Sequence, residues 1–526
     1  MTQEDPMIDI GTLAELLPRR AALHPDRIAF LGQGAPISYA ELDRRSRKVA
    51  AGLRASGVRH GDRVAYVGRN SADYYELLFG IARLGAVMMP LNWRLADAEL
   101  EYILDHADVA MLFGEEAHLG RGGVPRRGAE HAIAIDVLRP DGSPYARWRD
   151  GHVPEPGDVD IRPNDVAMQL YTSGTTGRPK GAMLSHRNIL ALRTEVPLAE
   201  QLPWYRWTAK DVSILSLPLF HIGTAAWGII GLHHGGSLVI QPDFDPGETI
   251  AAIARHGVTR LALVPSALQM IIEHPAARDA DFSSIDYIFY GASPMPLALL
   301  RRSMEAIGSA FVQIYGMTET CGSLVALPPE DHGLEENRRM LSAGKPFPGV
   351  EVAVKDADAR FLPDGQIGEI VIRSPSNMVG YYQQPEETAR IIDPDGWLHT
   401  GDAGFVEDGY VYVQDRIKEM IITGGENVYP AEVEAAIVAH GAVADVAVIG
   451  VPDDRWGEAV KAVVVLAAGR QADEAEIIGW VRSRIAAFKA PKSVDFATSL
   501  PRSASGKLLR KDVREPYWAG RERRVN

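Results

Sequence analysis

The chain of 526 residues is too long for one small binding module and, at roughly 100–200 residues per domain, divides into two or more domains. With 46% hydrophobic and 24% charged residues, 50 Gly and 34 Pro, it is neither disordered nor collagen-like. Fifty-five basic against 69 acidic residues leave a net charge of −14, which offers no electrostatic footprint for nucleic acid or an anionic membrane and points to small-molecule partners.

The acidic start (Glu4, Asp5) lacks the basic region of a signal peptide. Ser38 and Glu41 spell a capping box ahead of Leu42, Val49 and Leu53, with Gly57 as the stop, which predicts a helix. Next come a strand over Arg63 to Val67, a helix over Ser71 to Leu84, a strand over Ala86 to Met89, a helix over Asp97 to Asp105 and a strand over Val109 to Phe113. That repeated winding is the mark of a layered α/β domain. The apolar stretch Leu77 to Leu91 is broken by Arg83 and Pro90, short of the ~18 residues that span a membrane, so no transmembrane segment is expected. Residues 114–160, rich in Gly, Pro and Arg, read as loops with short elements. Strand-like runs return at Ser213 to Leu217, Leu261 to Val264 and Tyr287 to Tyr290, separated by helical segments. Between 345 and 415, Val350 to Lys355 and Glu369 to Arg373 are punctuated by Pro363-Asp364-Gly365 and Asp408-Gly409, which predicts antiparallel hairpins. Beyond Asp415 follow a helix (Ala431 to Ile437), strands (Asp445 to Ile449, Ala462 to Leu466) and a helix (Asp473 to Ile485). The expected fold class is α/β: an N-terminal domain, 1–415, of layered α/β subdomains with a β-rich subdomain, and a small α+β domain, 416–526.

Residues 171–181, Tyr-Thr-Ser-Gly-Thr-Thr-Gly-Arg-Pro-Lys-Gly, stand between the apolar run Val166 to Leu170 and the strand Ala182 to Ser185. Glycines and short hydroxyl residues there aim N–H and O–H donors at one point, and Lys180 adds a cation, the set a polyphosphate needs. Gly181 after Lys180 and the glycine spacing exclude a Walker loop. Further on stand Leu217-Pro218 with Phe220-His221, Tyr290-Gly291-Ala292-Ser293-Pro294, Tyr315-Gly316-Met317-Thr318-Glu319, Thr400-Gly401-Asp402, Asp415-Arg416-Ile417-Lys418 and Gly506-Lys507. In this order, over essentially the whole chain, these motifs resemble the adenylate-forming (AMP-binding) superfamily, in its acyl-CoA synthetase or fatty-acid–CoA ligase branch.

The resemblance implies an ATP-dependent, AMP-forming acid–thiol ligase with ATP and coenzyme A as co-substrates and Mg2+ as the metal. Thr172, Ser173, Gly174, Thr175, Thr176, Gly177 and Lys180 would cradle the β- and γ-phosphates, Thr318 would donate to the α-phosphate, and Glu319 would hold the magnesium ion. Gly291, Ala292 and Ser293 would wall one adenine face and Tyr315 the other, with Gln313, Gly316 and Met317 beside them, while Asp402 and Arg416 would take the ribose hydroxyls. Lys507 matches the lysine that reaches both the acid carboxylate and the α-phosphate. Lys418 matches a hinge about which the small domain rotates, and Gly424 and Gly425 a glycine-lined passage for the thiol.

Amino-acid-activating relatives carry Asp directly after the Phe of the acid pocket; here that residue is His221, a further catalytic candidate, which disfavours amino acids. Ile222, Gly223, Ala225, Trp227, Val264 and Ser266 are the acyl-pocket candidates, and the small residues at 223–226 leave room for an apolar acid, a medium- or long-chain fatty acid in the first reading. The alternatives are an aromatic or steroid-type acid, an acyl-AMP ligase that loads a carrier protein, and, more distantly, a non-catalytic nucleotide- or acyl-binding regulator. Intact Lys180, Glu319, Asp402 and Lys507 stand against the last. Cys321 is the one cysteine and reads as a packed residue; with no internal disulfide open to it, the chain is expected in the cytoplasm. A homodimer is compatible with the sequence.

Overall fold

Val87–Leu91 is buried at every position and Arg63–Val67 at all but the first, the pattern of strands covered on both faces. They pair in parallel, Val64 opposite Met88, at the centre of a seven-stranded sheet. Helix Ala72–Ala82 lies buried along its whole length, with Ser71 capping it by accepting from the Asp73 N–H at 3.0 Å. Only the hydroxyl half of the expected Ser38 capping box is seen: Ser38 accepts from the Glu41 N–H at 3.2 Å, while Arg44 and Arg45 hold the Glu41 carboxylate at 2.7 and 2.5 Å.

The computed structural model describes residues 8–519 apart from 33, 120–131, 139–140, 155–158, 173–178, 294, 334, 336, 424–425, 454–455 and 503–507. Contacts divide the chain into two units: Met1–Met340, Gly344–Glu351 and Arg373–Leu398 in the first, Leu341–Ala343, Val352–Ile372 and His399–Asn526 in the second. The first unit holds a second, nine-stranded sheet whose parallel strands include Val212–Leu215, Arg260–Leu263, Tyr287–Gly291 and Ala310–Met317. Ile214, Leu261, Ile288 and Phe311 pack there with Ile253, Leu268 and Leu300 of the covering helices. Because these strands run the same way, their carboxyl ends lie along one edge of the sheet, where open α/β sheets bind ligands.

In the second unit, strands Leu398–Glu407 and Tyr410–Arg416 form the expected hairpin, turning through Asp408 and Gly409 at φ 52° and 78°. Its C-terminal part packs Pro430–Val438 and Glu474–Arg482 on Val443–Asp453 and Gly457–Leu466 around Val433, Val448, Val460 and Ile477. Both strands outrun their predicted lengths; in Gly457–Leu466, Glu458 and Lys461 interrupt the apolar pattern, yet Glu458 is buried and accepts from the Ile422 N–H at 3.2 Å. The whole is a large α/β part with mixed sheets and a smaller α+β part, as expected. Among the described residues no helix is long and apolar enough to cross a membrane.

Burial holds the imidazoles of His186 and His234 neutral, pushing each from 6.5 to about 4. Between those values the unfolded chain binds more protons, so stability is undiminished above pH 6.5 and falls as pH drops towards 4, by about 3 kcal/mol for each histidine. Thermal unfolding followed across that window should show a falling midpoint; a flat midpoint contradicts the assignment.

Candidate active site

Strands Val166–Thr172 and Lys180–Ser185 pair antiparallel with Thr172 opposite Lys180, so the phosphate-loop sequence is pinned at both ends. Ser173, Gly174, Thr175, Thr176 and Gly177 lie outside the described residues, as do Pro294, Gly424, Gly425 and Lys507. The carboxylate of Glu319, 6% exposed, lies beside Thr172: its Oε1 accepts from the Thr172 hydroxyl at 3.3 Å and from the Tyr381 hydroxyl at 2.8 Å. Met378 N–H donates to the Glu319 carbonyl at 2.8 Å, fixing the backbone too. Glu319 belongs to the turn Thr318–Thr320, whose buried Thr320 hydroxyl donates to the Gly322 carbonyl at 2.7 Å. The turn needs Gly316: a Cβ there would lie 1.9 Å from the Gly322 carbonyl oxygen. Gly291 is constrained in the same way, its Cβ position 2.3 Å from the Ile314 carbonyl oxygen. Ala292 follows at φ 64°, a left-handed conformation costly for a residue with a side chain. Cys321, its thiol pushed up to about 12 by burial, stays protonated.

The same sheet edge carries Gly291 to Ser293, the half-buried Gln313, Tyr315, Gly316, Met317 and Thr318, and Val264 and Ser266 after Arg260–Leu263. It also carries the segment from Val212–Leu215 to helix Ile222–His233, held by buried Asn70, whose amide donates to the Leu217 and Gln241 carbonyls at 2.9 and 3.1 Å and whose oxygen accepts from the Leu219 N–H at 3.0 Å. His221 keeps an exposed side chain, yet loss of solvent, then Arg94, pushes its imidazole down to about 4.

The acyl-pocket candidates divide. Gly223 is exposed, with nothing within 4 Å of a Cβ built on it. Ala225 is fully buried and its carbonyl accepts from the Tyr75 hydroxyl at 3.3 Å; Ile222 is 5% exposed. Trp227 donates to the Ser213 hydroxyl at 2.9 Å and packs on Trp207 and Phe289 with ring centroids 4.9 and 4.7 Å away. Along residues 221–227, Ile222, Ala225 and Trp227 are buried, and the accessible positions are His221, Gly223, Thr224 and Ala226. Accordingly Gly223→Ala should leave stability within about 0.5 kcal/mol, whereas Gly228→Ala, whose Cβ would lie 1.9 Å from the Tyr75 hydroxyl, should cost about 1–3 kcal/mol in denaturant unfolding.

Within the second unit, Asp402 and Arg416 stand opposite each other in the hairpin, joined at 2.7 Å, with Asp402 5% exposed. Thr400 donates to the Ile370 carbonyl at 2.7 Å and Gly401 takes φ 70°, so Thr-Gly-Asp is a strand segment rather than a free turn. Asp415 accepts from the Ala431 N–H at 2.7 Å, and burial raises its carboxyl to about 6. Ile417–Glu419, with Lys418, forms a single 3-10 turn. Sequence reasoning missed Asn70, Tyr381 and Glu387, which pairs with Lys180; Gly380-Tyr381 and Pro385 gave the only local signal, a strand end running into a helix start.

The AMP-binding enzyme family matches residues 17–382, and the AMP-binding enzyme C-terminal domain matches 432–507. The chain is 39% identical over 523 residues to the fatty acid–[acyl-carrier-protein] ligase ScoC of Streptomyces coeruleorubidus, covering 98% of each. It is 41% identical over 503 residues to a feruloyl-CoA synthase of an Amycolatopsis species, covering 95% of this chain and 98% of that one. Its fold is similar to that of ATP-bound MatB from Rhodopseudomonas palustris, with a TM-score of 0.86 and 33% identity over 96% of this chain and 99% of the other. Two family matches spanning most of the chain, on a fold that sets the phosphate-loop hairpin beside Glu319, make this protein a member of the AMP-binding enzyme family, in its acyl-CoA synthetase branch, and an AMP-forming ligase.

Proposed function

We propose that the chain converts an apolar carboxylic acid to its CoA thioester through an acyl-adenylate. The observation that carries this reading is the meeting of Thr172, Glu319 and Tyr381 where the hairpin of Lys180 opens into the Ser/Thr/Gly loop. A carboxylate resists thiol attack because it would have to expel oxide, and because its charge shields its carbon. Transfer of AMP makes a mixed anhydride, from which a thiol can displace AMP. Two anions meet in the first step, so fixed donors and positioning dominate its catalysis.

Lys180, Thr172 and the loop residues Ser173 to Gly177 are assigned to the β- and γ-phosphates, and Thr318 to the α-phosphate. Gly291, Ala292, Ser293, Gln313, Tyr315, Gly316 and Met317 are assigned to adenine, and Asp402 with Arg416 to ribose. Among the described residues no three His, Cys, Asp or Glu side chains gather as a metal cage. One buried carboxylate, Glu319, fits magnesium, which keeps most of its shell for phosphate and water. When bound, that ion neutralises phosphate charge. Lys507 is assigned to hold the acid against the α-phosphate, Lys418 to a hinge at the 415/416 boundary, and Gly424 with Gly425 to the thiol passage.

An apolar acid is supported by the neutral His221 and by the open space at Gly223. A medium- or long-chain fatty acid is the first reading, with Val264 and Ser266 beside the same space. An aromatic or steroid-type acid is the second, supported by the 41% identity to a feruloyl-CoA synthase.

AMP release across a panel of acids, with CoA or a carrier protein as acceptor, tests the proposal. For a fatty acid, each buried methylene should contribute up to about 0.8 kcal/mol until the pocket ends, and Gly223→Leu should shift the optimum to shorter acids. A best response to ring-bearing acids selects the second reading; AMP release from no acid refutes both. Lys507→Ala should slow adenylation about 10²–10³-fold while sparing thioester formation from supplied acyl-adenylate. Equal loss of both half-reactions contradicts the role given to Lys507.

A further inference from the structure

Lys180 is only 8% exposed, and its ammonium is already paired with the carboxylate of Glu387, 5.3 Å from the centre of the Tyr381 ring. The backbone explains how Glu387 comes to be there. Strand Gly380–Tyr381 pairs antiparallel with Lys180–Ser185, Gly380 opposite Met183 and Tyr381 opposite Ala182. Tyr382 N–H donates to the Gly181 carbonyl at 2.8 Å, and Tyr381 N–H donates to the Thr388 hydroxyl at 2.9 Å, fastening helix Pro385–Ile391 to the strand that begins with Lys180. Glu387 therefore rides on an arm fixed to the same strand as its partner. Its other oxygen accepts from Arg390, one helical turn on, whose side chain is 70% exposed.

One carboxylate is thus shared between a buried lysine and an exposed arginine. A triphosphate approaching Lys180 meets that carboxylate on the ammonium it needs, and like charges at such range repel. We propose that Glu387 is the resting counter-ion of Lys180, released to Arg390 when the β- and γ-phosphates arrive and returning to Lys180 as pyrophosphate leaves, an inference that rests on the assignment of Lys180 to those phosphates. Two consequences follow from the charge alone. The empty site never holds a buried, unpaired ammonium. The affinities for ATP and for pyrophosphate are both lowered by the competing carboxylate, while AMP, which lacks those phosphates, is bound as before. Glu387 touches neither the acid nor the α-phosphorus, so it is a positioning residue acting through Lys180.

Calorimetric binding of ATP, pyrophosphate and AMP to the wild type, Glu387→Gln, Lys180→Gln and the double variant tests the exchange. Glu387→Gln should bind ATP and pyrophosphate about fivefold more tightly, with AMP unchanged, and the gain should vanish in the double variant. Glu387→Ala should shift binding in the same direction, since charge rather than bulk does the competing. ATP and pyrophosphate bound no more tightly by either Glu387 variant, or AMP tightened equally, overturns the proposal. Lys180→Gln binding ATP as well as the wild type does overturns instead the assignment of Lys180.

Discussion

The buried carboxylate of Glu319 joins the two sheets of the first unit. It stands in the turn after Ala310–Met317 of the nine-stranded sheet, while its partners Thr172 and Tyr381 belong to the seven-stranded one. A carboxylate removed from water is costly unless hydrogen-bonded, and these hydroxyls supply the bonds from across the sheet boundary. Docking of the sheets and satisfaction of this buried carboxylate thus rest on the same hydrogen bonds. The Met378 N–H, bonded to the Glu319 carbonyl, adds a backbone tie to the same junction.

Close backbone approach is the second requirement, and it follows from the first. The Thr318–Thr320 turn presents Glu319 where the chain doubles back at Gly316, whose Cβ would lie 1.9 Å from the Gly322 carbonyl oxygen, and at Gly322, whose φ of 100° disfavours any side chain. Along the same edge, Gly291 meets the Ile314 carbonyl, and Asn70 satisfies two carbonyls and one N–H of the segment leading to His221 together with the Gln241 carbonyl. The edge is therefore built of backbone groups and small residues, which leaves room for a flat or extended ligand. In the same unit, Trp204, Trp207, Trp227 and Phe289 form a buried aromatic cluster, and Arg260 ties it down by donating to the Trp204 carbonyl at 2.7 Å.

Within each unit, cations are arranged in matched pairs with carboxylates. Lys180 faces Glu387, Arg390 shares that carboxylate, and in the second unit Arg416 faces Asp402 while Arg510 gathers Glu419 and Glu434. Such pairing keeps the buried Lys180 and the half-buried Arg510 compensated.

The sequence by itself determined the reaction class and most elements, because both rest on local order. Strand Arg63–Val67 lies where its apolar pattern puts it, and helices Ala72–Ala82 and Glu474–Arg482 begin just after the Ser71 and Asp473 caps. The motif string from Tyr171 to Lys507 needs no contact map to be recognised. What only the tertiary structure decided is which side chains meet. Ala225 and Gly223 are both small and two residues apart, yet the Tyr75 hydroxyl against the buried side of the helix packs one and leaves the other open. Tyr381 and Glu387 carry no local mark of function; strand pairing with Lys180–Ser185 sets them beside Glu319 and Lys180, 62 and 207 residues away in sequence. Helix faces and cross-strand register are fixed by burial summed over a whole sheet, and no window of neighbouring residues contains that sum.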